Sequence, residues 1–144
     1  MSNKITILND LKTYDLVNEK DELLGQISFN PSDVNITQRY KKVVEELEKM
    51  DIDARVKDET EDFIETIRQL DEVVYEKINY LVNADIANTL FSIMGPFSPM
   101  STGQYFIEYI IEVIGKIISQ ETGLRVKKMN KRIQEHTGKY YGHK

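Results

Sequence analysis

None of the 144 residues is a cysteine, so a disulfide staple, thiolate chemistry and a cysteine-ligated metal are all closed to this chain. That composition fits a reducing cytoplasm. Histidine is nearly as scarce: His136 and His143 are the only two, seven apart in a glycine-punctuated tail. They have no ligand-set spacing, so no metal is expected and both read as solvated side chains. Proline occurs only at positions 31, 96 and 99, and each marks a break in the pattern around it. No apolar run approaches the ~20 residues a membrane-spanning helix needs. The most apolar segment, Tyr105–Ile118, carries Glu108, Glu112 and Lys116 every four residues, the charged stripe of an amphipathic helix. Met1-Ser2-Asn3-Lys4 leads into no apolar run of signal-peptide length, so export by that route is not expected.

Reaction chemistry is equally sparse. Ser98, Ser101 and Thr102 have no nameable base, and turn or cap roles account for them. The clusters Glu45-Glu46-Glu48 and Glu59-Glu61-Asp62-Glu65 lie opposite apolar stripes and read as solvated faces rather than acid–base pairs. Gly95 and Gly103 are not spaced as a phosphate-binding loop, and no Gly-Lys-Ser/Thr follows them. No enzyme, cofactor or small-molecule substrate is indicated.

What the chain does have is divided charge. Residues 1–122 carry 12 Lys/Arg against 23 Asp/Glu, a formal −11, whereas residues 123–144 carry seven Lys/Arg against Glu135 alone, a formal +6. The basic end, with Lys127, Lys128, Lys131 and Arg132, could meet phosphates, and Tyr140 and Tyr141 could stack on bases. An acidic body of this size repels a polyanion, so nucleic acid is disfavoured. An acidic protein surface suits the basic end better, including the 45–72 face of another copy. A solvated helix end is the plain alternative.

The periodicity predicts an α+β, helix-dominated fold: a small N-terminal antiparallel β-meander over 4–29, then four or five helices. Ile5-Thr6-Ile7-Leu8, Tyr14–Val17 and Leu24–Phe29 are the strand candidates, two or three of which would pair. So small a sheet must pack on helices or on a neighbour's edge strand. Helices are expected at about 35–50, 57–82, 85–94 and 101–122. Their expected caps are Asn35 with Gln38, Asp85, and Ser101 with Gln104. Asp51-Ile52-Asp53 reads as a connection and Gly123 as a stop or kink. Phe63, Ile64, Ile67, Leu70, Val74, Ile78 and Leu81 line one face of the second helix. Residues 1–122 thus form one domain, with 123–144 a basic helical extension fraying at its end.

Between the third and fourth helices lies Gly95-Pro96-Phe97-Ser98-Pro99-Met100. Phe97 and Met100 either tuck under this proline-stiffened turn and finish the core, or project as a preorganised apolar hook. With Phe91, Met94, Tyr105 and the four cations Lys127, Lys128, Lys131 and Arg132, they form the partner-binding set nominated from sequence.

The stretch Ile27-Ser28-Phe29-Asn30-Pro31-Ser32-Asp33-Val34-Asn35-Ile36-Thr37-Gln38-Arg39-Tyr40 follows the meander and opens an acidic helix. It resembles the N-terminal region of small proteins encoded in tail-gene clusters of Gram-positive long-tailed phages and prophages. The run from Phe97-Ser98-Pro99 through Phe106-Ile107-Glu108 to Lys127-Lys128-Met129-Asn130-Lys131-Arg132 is also similar, so the resemblance covers most of the chain. It is to tail assembly chaperones, and it implies a non-enzymatic helical protein of the host cytoplasm. Such a protein binds the tape measure protein, keeps it soluble while tube subunits polymerise, and is absent from the virion. Self-association is implied too, as is a short form beside a frameshifted longer one; this chain would be the short form. The alternatives are a structural tail or baseplate component retained in the particle, and a small nucleic-acid-associated regulator.

Overall fold

The computed structural model describes residues 2–141, with side chains described over 2–123. It has a two-stranded antiparallel sheet followed by five helices, the α+β, helix-dominated architecture expected. Strand β1 (Lys12–Val17) pairs with β2 (Leu23–Phe29) in the register Lys12↔Phe29 to Leu16↔Gly25, with an irregularity at Leu16/Val17. Asn18 closes the hairpin, its side-chain oxygen accepting from the N–H groups of Lys20 and Glu22 at 2.9 and 3.0 Å. Alternation then sorts the faces. Tyr14, Leu16, Ile27 and Phe29 turn inward, with the Tyr14 and Phe29 rings stacked 5.3 Å apart. The outward pairs are polar: Thr13 with Ser28 at 2.8 Å, and Gln26 donating to Asp15 at 2.7 Å. The third strand candidate does not form. Ile5–Leu8 makes no ladder bonds, because no strand among the described residues pairs with it.

Helix α1 (Asn35–Lys49) starts at Asn35 rather than being capped by it. The carboxylate of Asp33 accepts from the Asn35 N–H at 2.9 Å, and Arg39 donates to its other oxygen at 3.1 Å. Those bonds hold the Asp33 carboxyl below its ordinary value, and they replace the expected Asn35/Gln38 box. Asp51 then takes a left-handed conformation, and the expected connection is itself a helical turn, α2 (Ile52–Val56).

Helix α3 (Phe63–Val82) begins six residues later than predicted, because Asp58 folds 58–60 into a turn and Asp62 caps the helix. The Asp62 side chain accepts from Ile64 and Glu65 N–H at 3.0 and 3.3 Å. Leu70, Val74, Ile78 and Leu81 are fully buried on the predicted face. Phe63 and Ile64 are exposed, lying beyond the reach of the core. Asn83 ends α3 in the left-handed conformation. Helix α4 (Ala87–Ile93) follows, capped not by Asp85 but by Asn79, whose side-chain oxygen accepts from Ile86 and Ala87 N–H at 2.8 and 2.9 Å.

Helix α5 (Phe106–Tyr141) is the longest element. Its first N–H groups are satisfied by the proline loop: Phe106 donates to the Ser98 carbonyl and Ile107 to that of Pro96, at 3.0 and 2.8 Å. Glu108 reaches back to the Tyr105 N–H at 2.9 Å, half of a capping box. Ser101 and Gln104 are not its caps; they lie in the preceding turn, where Gly103 adopts φ 86°. Phe106, Ile107, Ile110, Ile114 and Ile118 bury the apolar stripe, and Glu108, Glu112 and Lys116 stay exposed as expected. Gly123 neither stops nor divides the helix, which runs on to Tyr141; one interior glycine costs only about 1 kcal/mol against alanine. Gly115 has a different function. Tyr40 of α1 lies over it and donates to the Ile111 carbonyl at 3.1 Å, and a Cβ at 115 would sit 2.9 Å from the Tyr40 Cζ.

Candidate interaction site

A concavity opens where α1, α2 and the start of α5 converge. Val44 and Leu47 come from α1, Ile52 from α2, and Ile107 and Ile111 from α5, forming an apolar groove of 340 Å³. These elements present surplus apolar width: Ile36 and Val43 already bury the core-facing line of α1, which leaves Val44 and Leu47 half-exposed beside it. Glu48, Asp51, Asp53 and Glu108 stand at its rim, all exposed.

One polar contact fixes its width. The Tyr105 hydroxyl donates to Asp53 Oδ1 at 2.8 Å, tying α2 to the approach of α5. That bond, with the Lys57 ammonium 3.2 Å away, keeps the Asp53 carboxyl below its ordinary value. Burial and the neighbouring Asp53 push the Tyr105 phenol up. Asp53 is therefore held as a carboxylate at the rim. The groove thus combines an apolar floor with an acidic rim.

Of the nominated residues whose side chains are described, only Tyr105 borders this groove. Phe91 is buried against the rings of Tyr75 and Phe106, with centroids 5.1 and 6.1 Å away. Phe97 is 7% exposed and meets Tyr105 edge-on at 6.4 Å, so it finishes the core and does not project as a hook. Met94 and Met100 are half-buried against the same core. The side chains of Lys127, Lys128, Lys131 and Arg132 lie outside the described residues, as do those of Tyr140, Tyr141 and both histidines.

Sequence reasoning missed the five groove-floor residues. Their signal was an apolar stripe wider than one packing face on both α1 and α5, which periodicity alone assigns to the core.

No group of three or more His, Asp or Glu side chains could hold a metal ion among the described residues. No helix among them is long and apolar enough to cross a membrane. No family model matches the chain, no curated protein matches it, and no solved structure matches it.

Proposed function

We propose that this protein is a tail assembly chaperone of a long-tailed phage or prophage, acting in the host cytoplasm on the tape measure protein. The observation that carries the reading is the apolar groove with its acidic rim. A tape measure protein exposes long helical segments with apolar stripes until the tail tube encloses them. The floor formed by Val44, Leu47, Ile52, Ile107 and Ile111 offers such a stripe a helix-in-groove contact. The rim acids select for Lys or Arg beside the stripe and speed the encounter. The acidic body keeps a bound client soluble through charge repulsion.

Co-expression with the tape measure protein of the same gene cluster tests this. The wild-type chain should co-purify with the client and raise its soluble yield, and it should be missing from purified particles by mass spectrometry. Val44→Glu combined with Ile111→Glu places two charges on a half-exposed floor. Capture should then fall at least tenfold, with helix content unchanged by circular dichroism. A wild-type chain that neither binds nor solubilises the client would remove the proposal. Recovery of the chain from finished virions would point to a structural tail component instead.

A further inference from the structure

The N-terminal arm, residues 2–11, holds no helix or strand and is exposed throughout. Ile5, Ile7 and Leu8 are 87%, 80% and 87% exposed. Among the described residues the arm makes no hydrogen bond, ion pair or ring contact. Such a segment is unusual on a water-facing surface: β-branched, apolar and uncharged from Ile5 to Leu8. Asp10, at φ 51°, breaks the extended backbone just before β1, and no ladder bond joins the arm to that strand among the described residues.

The sheet has the complementary deficiency. It holds only two strands, and β1 packs chiefly on β2, whereas β2 also rests on α4. Lys12, at the start of β1, holds Glu121 of α5; over Thr13–Val17 no backbone bond reaches the far edge of the strand from any described residue. A two-stranded ribbon is marginal alone, and an open edge is a template for another strand. Among the described residues, one copy therefore leaves both a strand-forming segment without a sheet and a sheet edge without a third strand.

We propose that the arm of one copy adds as a third strand to the β1 edge of a second copy, and that two copies exchange arms reciprocally about a twofold axis. Strand addition satisfies the edge N–H and C=O groups of both copies and takes the two Ile5–Leu8 segments out of water. The occupant is a second copy because the unfilled arm and the unfilled edge are present in equal number on every chain. The inference stands on the arm and the sheet edge and is independent of the chaperone reading.

Sedimentation equilibrium on the full chain should show a dimer at tens of micromolar. Deleting residues 2–8, or making Ile7→Pro, should weaken dimerisation at least tenfold, because the arm can no longer donate a ladder of backbone bonds. Helix content should stay unchanged, since the arm holds no helix. The absence of cysteine makes a positional test clean. A Thr6→Cys chain mixed with a Thr13→Cys chain should be joined by a short bis-maleimide into a heterodimer, and a Thr6→Cys with Ser101→Cys mixture should not. A wild-type chain that is monomeric at 100 µM (about two orders above a micromolar Kd) overturns the proposal. So does a dimer that survives arm deletion. Mainly intrachain cross-linking in the Thr6→Cys/Thr13→Cys double variant would also overturn it, by showing that the arm folds back on its own strand.

Discussion

Asn79 holds two backbone N–H groups on one side-chain oxygen, those of Ile86 and Ala87, and so fixes the corner between α3 and α4. Asp85, the nearer acid in sequence, only receives a long 3.4 Å contact from the Asn79 amide nitrogen. Asn79→Ala should therefore cost about 1–2 kcal/mol, as loss of a good cap does, and lower Tm by roughly 3–6 °C for a chain of this size. Asp85→Ala should stay within about 0.5 kcal/mol of wild type, the ordinary surface range; thermal melts of the two variants check the contrast. Asp71 carries the opposite kind of consequence. One of its carboxylate oxygens is buried with no hydrogen-bond partner among the described residues, and burial pushes its pKa up. The folded state therefore holds the proton more tightly than the unfolded state, so this group's contribution falls as pH rises through the carboxylate range. Above the folded pKa the penalty is complete. Below the ordinary value of 3.8 it vanishes. Asp71→Asn should raise Tm at pH 7 by roughly 1–3 °C, and that gain should disappear in melts at about pH 3.

The proline loop and the first turn of α5 behave as one element. Carbonyls of Pro96 and Ser98 receive the first N–H groups of the helix, and Phe97 between them is buried against Tyr105. Phe97→Ala should cost about 3–5 kcal/mol, the usual range for a buried phenylalanine, and Met100→Ala clearly less, since Met100 is only half-buried. Chemical denaturation of the two single variants tests this; equal small losses would mean the loop is not part of the core. How much of each element was legible follows from where its determinants lie. The stripes Leu70–Val74–Ile78–Leu81 and Phe106–Ile110–Ile114–Ile118 are periodic within one segment, so sequence reveals both helices and their buried faces. The element ends were harder, because their caps are distant or unexpected: Asn79 serves a helix eight residues on, and backbone carbonyls of the proline loop serve α5. Phe63 and Ile64 continue the α3 pattern in sequence, yet the core stops short of them. The groove was legible only as surplus apolar width on α1 and α5, since its floor joins three elements that only folding brings together. The Ile5–Leu8 segment has every local trait of a strand, and only a partner strand is missing.

At the scale of the whole molecule the charge division becomes a question of what holds copies together. Helix α5 runs unbroken from the packed body into the basic residues, and its 36 residues span about 54 Å at 1.5 Å each. The cations are thus carried on the same rod that packs against α1, while the acids Glu48, Asp51, Asp53 and Glu108 ring the groove at its other end. The proposed arm exchange and the expected contact of a basic end with an acidic face differ in physical character. Arm exchange depends on backbone hydrogen bonds and buried isoleucine, which salt hardly touches and a salting-out anion strengthens. Contact between a basic end and an acidic face depends on exposed charges, and these are screened as the Debye length falls from about 10 Å at 0.1 M salt to about 3 Å at 1 M. Sedimentation velocity at the two salt concentrations should therefore show a dimer that persists and larger species that dissolve. Replacing Lys127, Lys128, Lys131 and Arg132 by Gln should abolish the larger species at low salt and leave the dimer intact; arm deletion should do the reverse. Loss of all association at 1 M salt would assign the dimer to charge. Larger species unaffected by salt would assign them to apolar surfaces and leave the basic end as a solvated helix terminus.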